Sequence, residues 1–232
     1  MQLFLASISN NTFELDPSEV QHAVKVLRKD VGDAIQFITG DGNLYEGTLE
    51  TVSKKRALGT YRLVETEFGH VPYQLTIAIA PTKRMDRMEL FVEKATEMGI
   101  SEIIPIICHH SERKHVKVER LQKVALSAAK QSLKGVIPTV HEAKPFKELL
   151  KHTASIKCIA HCEDGDKKSW SSELRSGKHH LWLIGPEGDF SPAEVESAVA
   201  AGFSPVHLGS SRLRTETAGL AAVAMAYAAL GL

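Results

Sequence analysis

The rhythm of apolar and polar positions changes near residue 70. Before that point, apolar residues come in short runs bounded by glycine, asparagine and aspartate. Ala34-Ile35-Gln36-Phe37-Ile38-Thr39 and Leu44–Val52 flank Gly40-Asp41-Gly42-Asn43, a turn signal that predicts a β-hairpin. Ala57–Glu65 predicts another strand. Asp16-Pro17-Ser18-Glu19 offers an N-cap, a proline at the first helical position and acid in the first turn, so one helix is expected from there to about Leu27. Residues 1–70 therefore read as a small barrel with one inserted helix, too small for a large ligand cavity, and Phe68-Gly69-His70-Val71-Pro72 reads as a linker.

Beyond the linker, compact apolar runs alternate with stretches of helical period. Strands are predicted at Leu75–Ala80, Ile103–Ile107, Ile156–His161, Leu181–Ile184 and Pro205–Leu208. Helices are predicted at Arg87–Met98, Val118–Leu133, Pro145–Lys151, Pro192–Ala200 and Thr217–Leu230. Such alternation implies an α/β domain over residues 71–232, with a mainly parallel sheet covered on both faces. The longest apolar window, Ala218–Leu232, is short and alanine-rich and predicts a buried helix rather than a membrane span. Its small residues suit close packing, either in the core or at a subunit interface.

Composition adds limits. The 232 residues are 43% hydrophobic and 24% charged, which supports a core without staples. Cys108, Cys158 and Cys162 are too few and too odd in number for a disulfide framework, and they fit a reducing cytosol. Met1-Gln2-Leu3-Phe4 lacks the basic start of a secretory leader, so a cytoplasmic protein is expected. His109, His110 and His161 stand near cysteines, but no Cys-x-x-Cys pair exists and the spacing fits no standard zinc pattern, so no metal is expected.

The 28 basic and 28 acidic residues cancel, so net charge points to no partner. Their distribution is uneven: residues 72–150 carry 13 basic and 9 acidic groups. The excess gathers in Arg113, Lys114, Lys117, Arg120, Lys123, Lys130 and Lys134, with Glu119 the only acid between Arg113 and Lys134. This is either a solvated helix face or a stripe that contacts phosphates.

Two loops near the C-terminus carry the chemistry. The first is Gly185-Pro186-Glu187-Gly188-Asp189-Phe190 after the Leu181–Ile184 strand, ending in Ser191-Pro192-Ala193-Glu194, a capping box with proline at the first helical position. No Gly-Lys-Ser/Thr follows, which excludes a phosphate-binding P-loop, and no G-x-G-x-x-G excludes the dinucleotide fingerprint. The second loop is Leu208-Gly209-Ser210-Ser211-Arg212-Leu213-Arg214, after which Thr215 or its neighbour caps a helix with Glu216 in its first turn. An arginine beside a helix N-terminus opposes the dipole, so Arg214 suits an anionic or developing-anion substrate better than a stabilising role. Two such loops in one α/β layer read as a cradle for one ligand.

Ile184-Gly185-Pro186-Glu187-Gly188 with Leu208-Gly209 and Leu213-Arg214-Thr215-Glu216-Thr217-Ala218 closely resembles the RsmE family of the SPOUT methyltransferases. The resemblance extends to Lys94-Ala95-Thr96-Glu97-Met98-Gly99-Ile100, to Ala128-Ala129-Lys130-Gln131-Ser132 and to His22-Ala23-Val24-Lys25-Val26-Leu27-Arg28, in order along almost the whole chain. It implies an N-terminal PUA-like RNA-binding barrel (1–70) and a C-terminal S-adenosylmethionine-binding α/β domain with a trefoil knot (71–232). It further implies a homodimer that methylates N3 of a uridine in 16S ribosomal RNA, naked or within the small subunit. From residues alone an unknotted doubly wound sheet would be expected, since knots are nearly absent from folds. Two readings compete: a SPOUT enzyme acting on ribose oxygen or on transfer RNA, and a non-enzymatic RNA-binding protein.

The resemblance assigns cofactor contacts to Ile184, Gly185, Pro186, Glu187, Gly188, Leu208, Gly209, Leu213, Arg214 and Thr217; RNA contacts are expected at Lys25 and Arg28 of the N-terminal signature and, from the basic stripe, at Arg113, Lys114, Lys117, Arg120 and Lys123. Uridine N3 carries a proton that must leave. Arg214 is expected to stabilise the anionic uracil, with Glu216 or Glu187 as base. The competing reading makes Glu216 a dipole partner and Glu187 an acceptor for loop amides. The chain departs from the family at Asp189, where a glycine is usual, and at Ser211-Arg212, where the basic residue has moved one place. Aspartate tolerates left-handed backbone better than most residues.

Overall fold

The alternation read in the first 70 residues closes into a five-stranded barrel in the order β1-β2-β5-β4-β3. Its strands are β1 (Leu3–Ser9), β2 (Thr12–Leu15), β3 (Ala34–Ile38), β4 (Leu44–Val52) and β5 (Ala57–Glu65). Closure comes from parallel pairing of β1 with β3, which sets Phe4 beside Phe37. Phe4, Phe13, Phe37, Leu49 and Ala57 fill the interior, and Phe13 stacks on Phe37 with centroids 4.7 Å apart. Gly47 is obligatory there, because a Cβ on it would lie 2.3 Å from the Phe13 ring. Helix α1 spans only Pro17–Gln21, capped by the Asp16 carboxylate, which accepts the Ser18 amide at 2.9 Å. The expected run to about Leu27 is present, with its second half, His22–Val26, wound as a π-helix capped at Leu27. It stops at Arg28, whose φ is 55°. That left-handed cap position normally takes glycine, and here an arginine holds it.

This computed structural model describes residues 1–163 and 165–231. They form two compact units: Met1–His70 with Ala129–Ile137, and Val71–Ala128 with Pro138–Leu232. Among the described residues, no helix is long and apolar enough to cross a membrane.

In the second unit the chain runs β6 (Gln74–Ile79), α2 (Met85–Glu97), β7 (Glu102–Ile107), α3 (Val118–Gln131), β8 (Thr139–Val140), β9 (Lys144–Pro145) and α4 (Phe146–Leu149). It continues through β10 (Ile156–Ala160), β11 (Lys168–Ser169), α5 (Trp170–Glu173), β12 (His179–Ile184), α6 (Pro192–Ala200), β13 (Ser204–His207) and α7 (Thr215–Leu230). The strands pair in parallel in the order β11-β13-β10-β12-β6-β7-β8, with β9 beside β7. Both faces are covered. Leu75, Ile77 and Ile79 point with Trp182 into a cluster shared with Phe91, Leu121 and Val223. Ala78, Ile104 and Leu183 point the other way, onto Phe146, Phe190 and Phe203. This is the alternation of side chains along a pleated strand, buried on both sides.

One face of the C-terminal helix packs in the core, while Ala224, Tyr227, Ala228 and Ala229 on its other side are exposed. Gly219, Ala222, Val223 and Ala226 are buried in the core, and a Cβ on Gly219 would meet the Phe91 ring at 2.8 Å and Ile79 at 2.9 Å. Leu232, which ends the alanine-rich window, lies outside the described residues. The chain leaves β13 on the far side of β10 and returns to pack α7 on α2, β6 and β12. A plain doubly wound sheet would have continued outward; here the chain turns back across β10 instead.

The segment Ala129–Ile137 belongs with the barrel. Lys130 forms an ion pair with Glu19, whose side chain is buried. The Gly135 amide donates to Phe68 O at 2.8 Å and the Gly42 amide to Gly135 O at 3.2 Å.

Candidate functional site

Strand order builds the site. β10 lies between β12 and β13, with Ala160 beside both Ile184 and Val206. The loops that follow these three strands therefore leave the sheet together at its carboxyl end, where open parallel sheets bind ligands.

In the first loop Ile184, Gly185 and Pro186 are buried, whereas Glu187 and Gly188 are exposed. The Asp189 amide closes a turn on Pro186 O at 3.0 Å, and Asp189 itself is left-handed at φ 61°. Its carboxylate accepts the Phe190 amide at 2.8 Å and the Cys162 amide at 2.7 Å, while His110 Nδ1 donates to its carbonyl at 3.1 Å. One residue thus ties together three loops. The glycines answer to neighbours within the protein: a Cβ would lie 3.1 Å from the Phe190 ring at Gly185 and 3.0 Å from His110 Cβ at Gly188. The expected capping box is complete, with Ser191 N donating to Glu194 Oε2 at 2.9 Å and Glu194 N returning to Ser191 Oγ at 3.4 Å. Glu194 also accepts the His109 amide at 2.8 Å.

In the second loop Gly209 has φ 119° and nothing within 4 Å of the place a Cβ would take, so it borders open space. Ser211, Arg212 and Arg214 are exposed, and Leu208 and Leu213 are half-buried. The cap of α7 is Arg214, not Thr215, and it caps with backbone alone. Thr215 has another partner: its buried hydroxyl donates to Gly185 O at 3.0 Å. That bond joins the two loops read as one cradle. Arg214 has no ion pair among the described residues, so an unpaired guanidinium stands at the joint.

The candidate bases differ in setting. Glu187 is exposed, and its Oε1 accepts the Lys83 amide at 3.1 Å. Glu216 is 7% exposed, with Oε1 3.7 Å from Arg87 Nε and Oε2 enclosed without a hydrogen-bond partner. Thr217 is exposed on the first turn of α7.

The basic residues divide as well. Lys25 and Arg28 are exposed on the barrel unit. Arg113 is half-buried and donates to Thr82 O at 3.2 Å and Lys83 O at 2.7 Å, so its guanidinium fixes the loop after β6. Arg120 pairs with Glu89 at 2.6 Å. Lys114 is exposed, and Lys117, Arg120 and Lys123 line a groove of about 680 Å³ with Glu119 and Glu142. Lys130 leaves the stripe for Glu19. Lys134 also leaves it, being half-buried with its ammonium pKa lowered by that burial. Cys108 and Cys158 are buried, which raises both thiol pKa values, Cys158 to about 12, so neither is a nucleophile. Among the described residues no three His, Cys, Asp or Glu side chains gather to hold a metal.

Residues 70–227 match the family model of an RNA methyltransferase domain, and residues 15–60 match that of an RNA methyltransferase PUA domain. A ribosomal RNA small subunit methyltransferase E from Bacillus subtilis is 31% identical, over 91% of this chain and 88% of its own. A crystal structure of a "probable rRNA-methyltransferase" from Porphyromonas gingivalis superposes with a TM-score of 0.89 at 39% identity, covering 99% of this chain and 98% of that one. A ribosomal RNA small subunit methyltransferase E from Neisseria gonorrhoeae, solved bound to S-adenosyl methionine, gives 0.77 at 29% identity, covering 97% and 96%.

Proposed function

Because the chain belongs to the RNA methyltransferase family, we propose that it transfers a methyl group from S-adenosylmethionine to N3 of one uridine of 16S ribosomal RNA and acts as a homodimer. The observation that carries this reading is the Thr215–Gly185 hydrogen bond, which makes one cradle of the loops after β12 and β13. The cradle fits a nucleoside-bearing ligand: Ile184, Pro186, Leu208 and Leu213 give it apolar walls, and Gly209 leaves space beside its backbone. Ile184 through Gly188, Leu208, Gly209, Leu213, Arg214 and Thr217 would hold the cofactor, which when bound supplies an electrophilic methyl group.

The chain's own residues then position the uracil and manage its N3 proton. Arg214, exposed and unpaired, lies where its guanidinium can meet the uracil carbonyl oxygens as negative charge develops on the ring. Of the two carboxylates, Glu187 is open to substrate, whereas Glu216 is enclosed beside Arg87. Glu187 is therefore the base in this reading, and Glu216 steadies the first turn of α7. The groove lined by Lys117, Arg120 and Lys123 supplies phosphate contacts, and residues 1–70 form the RNA-binding PUA-like domain, with Lys25 and Arg28 on its surface.

Calorimetry with S-adenosylmethionine tests the enzyme reading, and no binding at millimolar cofactor would remove it. Mass spectrometry of 16S ribosomal RNA from a deletion strain tests the target: persistence of N3-methyluridine would reassign the enzyme to ribose oxygen or transfer RNA. Arg214→Ala is expected to lower kcat by about a hundredfold or more while changing cofactor affinity little; equal losses in both would remove its assigned role.

A further inference from the structure

β6 lies between β12 and β7, with Ile79 beside both Ile184 and Pro105. The loop after β6 therefore leaves the sheet between the first cradle loop and the loop after β7. The three loops meet in one peptide unit. Lys83 N donates to Glu187 Oε1 at 3.1 Å. At the other end of the same peptide, Thr82 O accepts from Arg113 Nε at 3.2 Å. The N–H and C=O of a planar trans peptide point in opposite directions, so Arg113 holds one end of the unit and Glu187 the other. Arg113 Nη2 also donates to the next carbonyl, Lys83 O, at 2.7 Å, which opposes rotation of that peptide.

Arg113 is itself set in place. It is half-buried and follows a turn closed by Ser111, whose amide donates to Cys108 O at 3.1 Å and whose hydroxyl accepts the Cys108 amide at 2.9 Å. A guanidinium presents its donors in a fixed fork, and here the fork is turned onto backbone carbonyls instead of outward toward phosphate. Glu187, by contrast, is held by one oxygen. Its side chain is exposed, and Oε2 has no hydrogen bond among the described residues. An exposed glutamate otherwise samples many rotamers, whereas a general base must meet its proton in a fixed direction. The Lys83 amide removes that freedom and leaves Oε2 open. Hydrogen bonds in series polarise one another, so the guanidinium also strengthens the hold of the amide on the carboxylate.

We propose that Arg113 is a positioning residue for removal of the N3 proton: through the Thr82–Lys83 peptide it sets Glu187 so that Oε2 takes the proton from uracil, which then passes to water. The assignment rests on the reading of Glu187 as base given above. It separates Arg113 from Lys114, Lys117 and Lys123, which are exposed and stay available to RNA phosphates.

The test is steady-state kinetics of the full-length protein with S-adenosylmethionine and 16S ribosomal RNA, free or in the small subunit, whichever the wild type methylates. The variants are Arg113→Gln, Arg113→Lys, Glu187→Gln and the double variant of the two glutamines. Arg113→Gln is expected to lower kcat about tenfold to a hundredfold, while RNA affinity, its salt dependence and cofactor affinity stay within about twofold. Lysine keeps a cation but reaches one carbonyl only, so Arg113→Lys should recover part of kcat. Glutamine at position 187 keeps an acceptor for the Lys83 amide but cannot take the proton. In that background Arg113→Gln should lower kcat by less than about twofold, because no base remains to be set. Apart from turnover, hydrogen exchange at the Lys83 amide should quicken about tenfold in Arg113→Gln. Retained kcat with weaker RNA binding and a smaller salt slope would make Arg113 a phosphate contact and overturn the assignment. Unchanged exchange at Lys83, or equal losses of kcat and cofactor affinity, would also overturn it. If Arg113→Gln does not fold, Arg113→Lys takes its place in the same cycle. An inactive Glu187→Gln with losses that multiply in the double variant removes this assignment alone. A fully active Glu187→Gln removes Glu187 as base, and the assignment with it.

Discussion

Asp189 holds a left-handed turn and bonds to three loops, and its replacement can be worked through from the geometry. Asp189→Ala removes a carboxylate that accepts two backbone amides, at 2.7 and 2.8 Å. Such bonds to a charged group are worth about 1.5–3 kcal/mol each when buried; Asp189 is half-buried, and about 1 kcal/mol each is the appropriate scale. Alanine at φ 61° adds roughly 1–2 kcal/mol of left-handed strain. The expected loss is about 3–4 kcal/mol. Asp189→Gly loses the same two bonds but relieves the strain, so it should be the more stable variant by about 1 kcal/mol. Asp189→Asn, which tolerates the left-handed region but keeps an acceptor for only one of the two amides, should lose about 1–2 kcal/mol. Urea unfolding of the three variants measures these differences, with S-adenosylmethionine affinity as a second readout of loop geometry. An Asp189→Ala protein within about 0.5 kcal/mol of wild type, or a glycine variant as unstable as the alanine one, would refute the claim that this residue holds the three loops.

Thr215→Val should cost about 1–2 kcal/mol in urea and weaken cofactor binding, because it leaves the buried Gly185 carbonyl unpaired; an effect on stability alone would separate α7 from the cradle. Lys130→Met should destabilise by about 3–5 kcal/mol, since it strands the buried Glu19 carboxylate, and adding Glu19→Leu should recover most of that loss; a single variant as stable as the wild type would show that the pair contributes nothing. Burial lowers the pKa of His161, His179 and His180, so the unfolded chain takes up protons first as pH drops. Stability should therefore fall with pH from about 6.5 down to the folded values, by at most about 1.4 kcal/mol per unit for each group. His180→Gln should flatten the curve measured from pH 7.5 to 5.5, and stability rising on acidification in that window would contradict the sign.

Elements with their own punctuation could be read from the sequence. Leu44–Val52, Ala57–Glu65 and Pro192–Ala200 appear with the bounds expected of them, the last because the Ser191–Glu194 capping box marks its start. Elements without punctuation could not. The helix from Pro17 ends near Leu27 as expected, but its change to π-helical geometry from His22 and its left-handed stop at Arg28, not a glycine, carry no signal. The hairpin of β1 and β2 turns on Asn10 and Asn11, at φ 49° and 59°, with no glycine to announce it. β8, β9 and β11 are two residues each, too short for any period to show, and α4 is a single turn, Phe146–Leu149, where Pro145–Lys151 was expected. In the site, two of the three loops announce themselves through glycines and helix starts. The third begins His161-Cys162-Glu163 and carries no motif; its importance comes only from β10 standing between β12 and β13. Asp189 was visible as a departure, but the loops it joins lie far apart in sequence.

The residues from Ala129 to Ile137 also bear on how the protein is made. The barrel's five strands are complete by residue 65, yet its charge balance at Glu19 and its backbone partners at Gly42 and Phe68 arrive only with Lys130 and Gly135. A nascent chain therefore emerges from the ribosome with all five strands able to pair into the barrel well before the residues that supply its last partners, Lys130 and Gly135, have been made. During that interval Glu19 is a carboxylate without its cation. Dividing the gene at the linker to obtain the barrel alone would keep it in that state, whereas a fusion that joins residues 129–137 after residue 70 through a short flexible tether would supply both missing partners.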